Sequence, residues 1–512
     1  MSGKASDDVF TLIQSLSMSE KRYFKAFALM GNVKSDTIYV RLFDIIEAQK
    51  EYNETKVLEK LKLDQPQQLS NQKKYLGELI LESLRIYHAG RSVDAQLWAM
   101  VTEIELLYRR RLLKLCLKQC KKAKELAMKY EKNFQLAVIL YWEERNMGEI
   151  ISQEKMEAEH DQIFLDSIAN AKKILRIAEL RSLHHQILKP SRLGGLSRWG
   201  KNISHLHKII QNPILKTEPD SYRERSMYHS IFTAYYVVQG DWKQCYVSAK
   251  KLVTLMEENP HQIAEETRPY TSALNVFILS CIYTHNEKEL ALVAPKVVGM
   301  VNDPLYNRNN NSMYGLLFCC NSILHYFMHS GEFERGAEFC ESIQKTFDKH
   351  FENINKGTRF SVYLSFATIY FGLGDYKRSL QWINKILSTF SSAGQEDYHM
   401  SARLLSFIVH YEKDDDNDLE RFVKSTQRYL ISNNRESKIE SAIIDFIRKK
   451  IAKKKSEKET RAAFEELKIT IEELSKDPIE KVSLLTFDFL AWIDAQIRKK
   501  TFAEVMREKW RG

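Results

Sequence analysis

The stretch Thr233-Ala-Tyr-Tyr-Val-Val-Gln-Gly-Asp-Trp242 decides the fold, because it returns along the chain. Ala367-Thr-Ile-Tyr-Phe-Gly-Leu-Gly-Asp-Tyr376 aligns with it without a gap. A third copy ends in Phe327-Met-His-Ser-Gly-Glu-Phe333, and a divergent fourth, Leu279–Lys288, fills the remaining interval. The copies recur every 43 to 46 residues. A fixed period of this size is typical of a solenoid, in which each helical hairpin buries its apolar face against its neighbours.

Each copy repeats the same order of chemical roles. A glycine ends the first helix, because it readily takes the positive φ that lets the chain reverse. Two residues later comes an aromatic ring, which we expect to be buried in the hairpin turn. A small residue and then an apolar residue follow on the second helix. These positions are Gly240, Gly331 and Gly374; Trp242, Phe333 and Tyr376; Cys245, Gly336 and Ser379; and Leu252, Ile343 and Ile386.

Composition predicts an all-α chain. The 512 residues include 18 Gly and 9 Pro, which leaves few turns and favours long helices. Apolar residues recur at i, i+3, i+4 and i+7, and no convincing alternating strand occurs. With 44% hydrophobic and 28% charged residues, the chain can bury a core, so disorder is not expected.

Four segments are predicted along the chain. Residues 1–90 form a small helical N-terminal domain, residues 91–210 form long hairpins of degenerate repeats, residues 211–430 form the clear repeats, and residues 431–512 form C-terminal capping helices. Predicted helices cover 19–29, 37–48, 54–63, 69–87, 97–107, 112–130, 134–147 and 419–429, and a further amphipathic helix runs through Ile439 to Ile451.

The order of roles resembles the tetratricopeptide repeat (TPR), with Tyr236, Phe327 and Tyr370 at its first-helix aromatic position. The period is longer than the family's value of about 34 residues. The small residue three positions earlier is Thr233 or Ala367 in two copies, but Leu324 in the third. The resemblance implies a right-handed α-solenoid of TPR-like helical hairpins that binds a protein or peptide on its concave face and has neither a catalytic site nor a cofactor.

In that family, set positions on each first helix line the concave groove. Carried over to this chain, they predict a groove of Ser230, Ala234, Val238, Asn321, His325, His329, Leu364 and Thr368. This lining has almost no cations, so acidic chaperone tails are not expected to bind. His325 and His329 share one helix face, where they either contact a peptide or pack between hairpins.

The two ends of the chain show a second resemblance. Ser15–Lys25, Thr486–Ile493 and Phe502–Lys509 are similar to the termini of large, mostly uncharacterised helical-repeat proteins of the Bacteroidota. This resemblance supports a helical-repeat architecture in a bacterial protein, and it implies no activity.

The chain is expected to be cytoplasmic. Its seven cysteines lie in apolar helical runs, form no C-x-x-C pair and are odd in number, which favours reduced, buried thiols. Met1–Glu20 has no apolar core typical of a secretion signal, and no stretch approaches the 18 uncharged apolar residues of a membrane span.

Several patterns approach ligand motifs but lack a required residue. Gly195–Asn202 is close to a phosphate-binding P-loop, but Asn202 replaces the Ser or Thr that holds magnesium. Asp414–Asp418 lacks the Gly and Glu that an EF-hand requires. Glu157/His160 and Glu396/His399 have di-iron spacing but lie far apart in sequence. We therefore predict no metal, no cofactor and no enzymatic activity.

Basic residues leave a second function open. Clusters occur at 109–124, 189–201 and 449–455, where they either track phosphates or form solvated helix faces. Lys56–Lys62 followed by Leu69–Leu84 is also compatible with a helix-turn-helix whose second helix opens with Asn71, Gln72, Lys73 and Lys74.

The sequence therefore predicts a non-enzymatic protein- or peptide-binding scaffold or adaptor. The alternative is a transcriptional or RNA-binding regulator with an N-terminal nucleic-acid-binding domain and a TPR-like sensor. One contiguous positive face on Leu69–Leu84 favours the regulator, whereas mixed charge there favours a capping role.

Overall fold

A computed structural model gives the fold. It describes residues 7–30, 36–63, 65–90, 92–150, 153–194, 203–307, 310–350, 354, 356–388, 396–413, 426, 438–452, 456–476 and 487–512. Across these ranges the secondary structure is helical and no strand occurs, which confirms the all-α prediction. None of the described helices is long and apolar enough to cross a membrane.

The helices are numbered here in chain order. They are α1 Asp8–Ser15, α2 Met18–Met30, α3 Asp36–Glu47, α4 Glu54–Leu61, α5 Pro66–His88, α6 Val93–Arg109, α7 Leu113–Lys129, α8 Asn133–Ile150, α9 Gln153–Gly194, α10 Ile203–Ile210, α11 Tyr222–Gln239, α12 Trp242–Glu257, α13 Pro260–Glu265, α14 Thr267–Tyr283, α15 Glu287–Asn302, α16 Pro304–Asn307, α17 Asn310–Ser330, α18 Phe333–His350, α19 Lys356–Gly372, α20 Tyr376–Leu387, α21 Glu396–Glu412, α22 Lys438–Ala452, α23 Glu457–Leu474, α24 Phe489–Arg498 and α25 Phe502–Arg511.

The chain divides into two compact units, Met1–Leu175 and Arg176–Gly512. In the first unit, α1 to α5 surround a core that includes Phe24, Phe43 and Leu76. Helices α6, α7 and α8 pack on one another around a separate core containing Leu97 and Cys120. A third, smaller cluster contains Leu140, Met147 and Ile163, so the described part of the first unit has three apolar clusters.

The second unit contains the repeats. Four helical hairpins follow in order, α11/α12, α14/α15, α17/α18 and α19/α20, and the two helices of each hairpin contact one another. The first helices α14, α17, α19 and α21 pack side by side, and α15 contacts α18. Each hairpin thus buries its apolar faces against its neighbours, as the sequence period predicts.

The hairpin turns have the predicted backbone. Gly240, Gly331 and Gly374 have φ of +71°, +70° and +82°. Around Gly240, the amide of Gly240 bonds to Val237 O and the amide of Asp241 to Tyr236 O, the helix-ending pattern that a left-handed residue permits. In the divergent copy, His285 takes this role with φ of +52°.

The aromatic positions of the turns differ from the sequence prediction. Phe333 is completely buried, but Trp242 and Tyr376 are only half-buried. Trp242 stacks on Tyr283 of the next hairpin, with ring centroids 4.1 Å apart. Because Tyr283 is itself 57% exposed, the ring that covers Trp242 does not shield it fully from solvent.

Small residues allow close approach between helices. Ser379 is fully buried and its hydroxyl donates to Ala367 O at 2.8 Å, across the two helices of one hairpin. Between first helices, a Cβ added at Gly315 of α17 would overlap the Thr271 hydroxyl of α14 and lie 3.2 Å from Thr271 Cβ. Gly315 therefore sets the spacing between two successive repeats.

The C-terminal helices α24 and α25 contact helices of the repeats. Trp492 and Gln496 of α24 both donate to Glu412 Oε1 of α21 at 2.7 Å. Helix α25 packs on α17, in the middle of the repeats. The end of the chain therefore returns to the third hairpin.

Candidate functional site

The predicted groove residues on α11 are partly exposed and contact residues of their own unit. The Ser230 hydroxyl donates to Ser226 O of its own helix at 2.7 Å. Ala234 and Val238 pack against the apolar cluster that contains Leu183 and Ile187 of α9. This part of the predicted lining contacts other helices of the same unit.

The predicted residues on α17 and α19 lie in two environments. Leu364 and Thr368 of α19 are buried, with 3% and 2% exposure. Asn321 Oδ1 accepts hydrogen bonds from Ser365 Oγ at 3.4 Å and Ser361 Oγ at 3.5 Å, which links α17 to α19. Leu364 and Asn321 therefore contribute to packing between adjacent first helices.

His325, His329 and Thr368 do come together, in a cavity of about 180 Å³. The opposite wall comes from the end of the chain. Its members are Phe487, Asp488, Phe489, Leu490, Phe502, Met506 and Lys509. The imidazole centroids of His325 and His329 are 6.3 Å apart with nearly parallel rings.

The environment of this cavity favours neutral imidazoles. Burial lowers the pKa of His325 to about 4, and the neighbouring His329 adds to the effect. Burial also lowers the pKa of His329, although the carboxylate of Asp488 acts in the opposite direction. Asp488 itself pairs with Lys509 of α25. At neutral pH the His325 imidazole is therefore uncharged.

Helix α25 is held on the third hairpin turn by an arginine. Arg507 Nε donates to the carbonyl of Gly331 at 3.0 Å, and Arg507 Nη2 contacts Glu334 Oε2 at 2.9 Å. A Cβ at Gly331 would lie 2.8 Å from Ala503 O, so α25 approaches the turn too closely for any side chain there. Gly331 therefore serves both the turn and the contact with α25.

The same helix reaches the preceding turn through a tryptophan. Trp510 Nε1 donates to Glu287 Oε1 at 2.7 Å. Its ring lies 4.3 Å from the His285 ring and 5.9 Å from the Tyr326 ring, measured between centroids. Helix α25 thus contacts two successive turns, one through Arg507 and the other through Trp510.

Aromatic rings secure the start of α25. The Phe502 ring lies 5.6 Å from Phe333, 5.3 Å from Phe371 and 5.2 Å from Phe487. Such pairs stabilise by about 0.5–1.5 kcal/mol each beyond the area they bury. We call the surface formed by the turns at 240–242, 285–287, 331–333 and 374–376 the turn edge.

The turn edge repeats one packing relation. The aromatic residue of one turn packs on a residue of the next hairpin. That residue lies two positions before the one that takes positive φ in the next turn. Phe333 packs in this way on Gly372, where an added Cβ would overlap the phenylalanine ring. Trp242 packs in the same way on Tyr283. Phe333 is completely buried with Phe502 stacked beside it, whereas Tyr283 is 57% exposed and Trp242 is half-buried.

The basic cluster of the first unit is partly neutralised. Arg109 pairs with Glu105, Arg111 with Glu149, and Lys124 with both Glu143 and Asp166. The remaining lysines on α7 are exposed; they are Lys114, Lys118, Lys121, Lys122 and Lys129. The side chains of the other two clusters that the sequence indicates, 189–201 and 449–455, lie outside the described residues.

In the segment whose sequence is compatible with a helix-turn-helix, one lysine bonds to side chains of the same unit. Helix α5 begins at Pro66, earlier than predicted, so Asn71 to Lys74 lie in its second and third turns. Lys73 is buried and bonds to Tyr52 Oη at 3.0 Å and Glu54 Oε2 at 3.3 Å. The exposed side of α5 carries both signs of charge, from Lys74, Glu78, Glu82 and Arg85.

Ligand motifs considered from the sequence can be placed only in part. Gly195–Asn202 and Asp414–Asp418 lie outside the described residues, as do the side chains of Glu157, His160 and Glu396. In the part of the chain that is described, no group of three or more His, Cys, Asp and Glu side chains is arranged to hold a metal ion.

Sequence reasoning missed the docking of α25. Arg507 and Trp510 contact residues more than 170 positions away, and a local pattern carries no information on such a pairing. The available signal was the amphipathic character of Phe502–Arg511, a helix of ten residues with Phe502, Val505 and Met506 on its buried side. A helix that short needs a surface to stabilise it.

Comparisons with protein-family models, with curated proteins and with solved structures find no match to this chain.

Proposed function

We propose that this chain is a non-enzymatic, cytoplasmic scaffold or adaptor that binds helical protein segments on its repeats. The contact that carries the proposal is intramolecular. The second unit holds a short helix, α25, through an apolar side, an arginine and a tryptophan spread over two turns. A surface that holds one such segment has the chemistry to hold another.

The physical argument concerns helix stability. Isolated helices of about ten residues are unstable in water, because nucleation costs more than so few hydrogen bonds return. The repeats supply what α25 lacks: burial for Phe502, Val505 and Met506, and an acceptor for each of its two polar anchors. Recognition of an amphipathic helix by its apolar side is a recurring mode of peptide binding.

Cysteine chemistry supports the proposed compartment. All seven cysteines are free thiols and all are buried. Burial raises the pKa of Cys320 to about 12, which keeps this thiol protonated and unreactive. Thiols of this kind suit a reducing compartment.

Charge argues against the alternative, a nucleic-acid-binding regulator. Recognition helices present cations and amides on one continuous face. On α5, Lys73 is bonded inside the domain, and Glu78 and Glu82 share the exposed side with Lys74 and Arg85. This mixed charge favours a capping role for residues 1–90.

The test is a selection of displayed helical peptides on the full-length chain. We expect enrichment of peptides with apolar anchors and a basic residue at helical spacing, with micromolar affinity by calorimetry. In parallel, fluorescence anisotropy with a labelled DNA duplex and a single-stranded RNA is expected to give no binding at physiological salt. A selection that yields no binding peptide, alongside tight nucleic-acid binding, would reverse the assignment.

A further inference from the structure

The first part of the turn edge carries an open aromatic surface. Trp242 and Tyr283 stack at 4.1 Å with their ring planes 16° apart, and Tyr283 is 57% exposed. At the equivalent position of the third turn, Phe333 is fully buried beneath Phe502. The same element of the repeat is thus covered at one turn and uncovered at another.

A cleft adjoins this pair. It measures about 500 Å³ and is lined by Lys243, Tyr246, Thr284, His285, Asn286, Glu287 and Lys288. Lys243 and Thr284 directly follow Trp242 and Tyr283 in the chain. His285 and Glu287, which also line the cleft, are among the residues that Trp510 of α25 contacts. The open surface is therefore continuous with the surface that α25 occupies.

From this continuity we propose that the Trp242–Tyr283 pair and the adjoining cleft form a docking site for a second amphipathic helix. The occupant is a helix from a partner protein that presents an aromatic ring and an arginine or lysine one turn apart. Its chemistry follows from α25, in which Arg507 and Trp510 have this spacing. The inference rests on the proposed function and names the site and the partner class.

Complementarity supports this choice of occupant. The partner ring would pack on the partly exposed Trp242–Tyr283 pair, as Phe502 packs on Phe333, which takes the place of Trp242 at the later turn. The exposed carboxylates of Asp241 and Glu287 lie on the turns at either side and suit a basic side chain. Tyr246, which lines the cleft, is held by its hydroxyl, which donates to Glu289 Oε1 at 3.1 Å, and Lys250 pairs with the same carboxylate.

The probe is a synthetic peptide with the sequence of residues 501–512, acetylated at its N-terminus, titrated into the full-length chain by calorimetry. We expect a dissociation constant on the order of 50 µM. Tyr283→Ala should weaken binding about tenfold or more, because the main exposed ring is removed. Leu292→Ala, which removes another apolar side chain that is 71% exposed on the same hairpin, should leave affinity unchanged.

Two readouts separate the outcomes. Hydrogen exchange should show peptide-induced protection at 283–288 with exchange of 502–511 unchanged; faster exchange of 502–511 would mean that the peptide displaces α25, and the site would be wrong. If peptides selected from the library bind wild type and Tyr283→Ala equally, the proposed function stands and this site does not. If neither those peptides nor the probe binds, both fail.

Discussion

Replacing Gly315 with alanine should push apart two successive repeats. The new Cβ on α17 would overlap the Thr271 hydroxyl of α14 and lie 3.2 Å from Thr271 Cβ, and both positions are buried. Overpacking of this kind costs about 1–3 kcal/mol. Alanine in place of glycine inside a helix raises the free energy of unfolding by roughly 0.5–1 kcal/mol. The expected net loss of unfolding free energy therefore lies between about 0 and 2.5 kcal/mol, with a central value of about 1 kcal/mol.

Two further variants make this prediction specific. Thr271→Ala removes the overlapping hydroxyl, so the double variant should lose less stability than the two single changes added together. Gly299→Ala is the matched control, because a Cβ at that exposed helical position meets nothing within 4 Å and should stabilise the protein. Urea unfolding of all four variants measures the coupling. Additive losses at Gly315 and Thr271, or a stabilising Gly315→Ala, would refute the packing of the first helices.

Two other predictions concern the C-terminal contacts. The pKa of His325 is lowered to about 4 from an ordinary 6.5, which means that the folded state favours the neutral imidazole. The contribution of this preference to the free energy of unfolding is complete above about pH 6.5 and should be lost as the pH falls toward 4. Melting temperatures of wild type and His325→Asn across this range check it, and identical pH profiles would contradict it. Glu412→Ala should lower the free energy of unfolding by roughly 2–3 kcal/mol, because it removes the carboxylate oxygen to which both Trp492 and Gln496 donate. Lys413→Ala, a change at the neighbouring residue, is the control. An unchanged unfolding midpoint for Glu412→Ala would show that those bonds contribute nothing.

Much of the repeat architecture could be predicted from sequence, because its determinants are local. Gly240, Gly331 and Gly374 take positive φ as expected, since no other residue type reverses a chain so easily. Where helix bounds were predicted on described residues they agree within a few residues, as for the helix predicted at 112–130 and found at Leu113–Lys129, while the helix predicted at 419–429 lies, except for one residue, outside the described residues. Helix α1 was not predicted, and Arg111 and Glu131 take positive φ without any glycine signal.

The candidate site was less predictable, because it depends on contacts between distant parts of the chain. The sequence brings His325, His329 and Thr368 to one surface, and the structure places them in one cavity. Nothing in the sequence indicates that Asp488 and Lys509 line the opposite wall of this cavity. Trp242 was expected to be buried, but whether a turn ring is covered depends on the residue facing it in the next hairpin.

Hydrogen exchange of α25 in the intact chain tests the central claim most directly, because the proposed function rests on the repeats holding a helical segment. The amides of Phe502–Arg511 should be strongly protected, since the repeats stabilise a helix too short to persist alone. Arg507→Ala should reduce that protection without affecting α14, because it removes the bonds to Gly331 and Glu334. Exchange of these amides at the rate of an unstructured peptide would contradict the account.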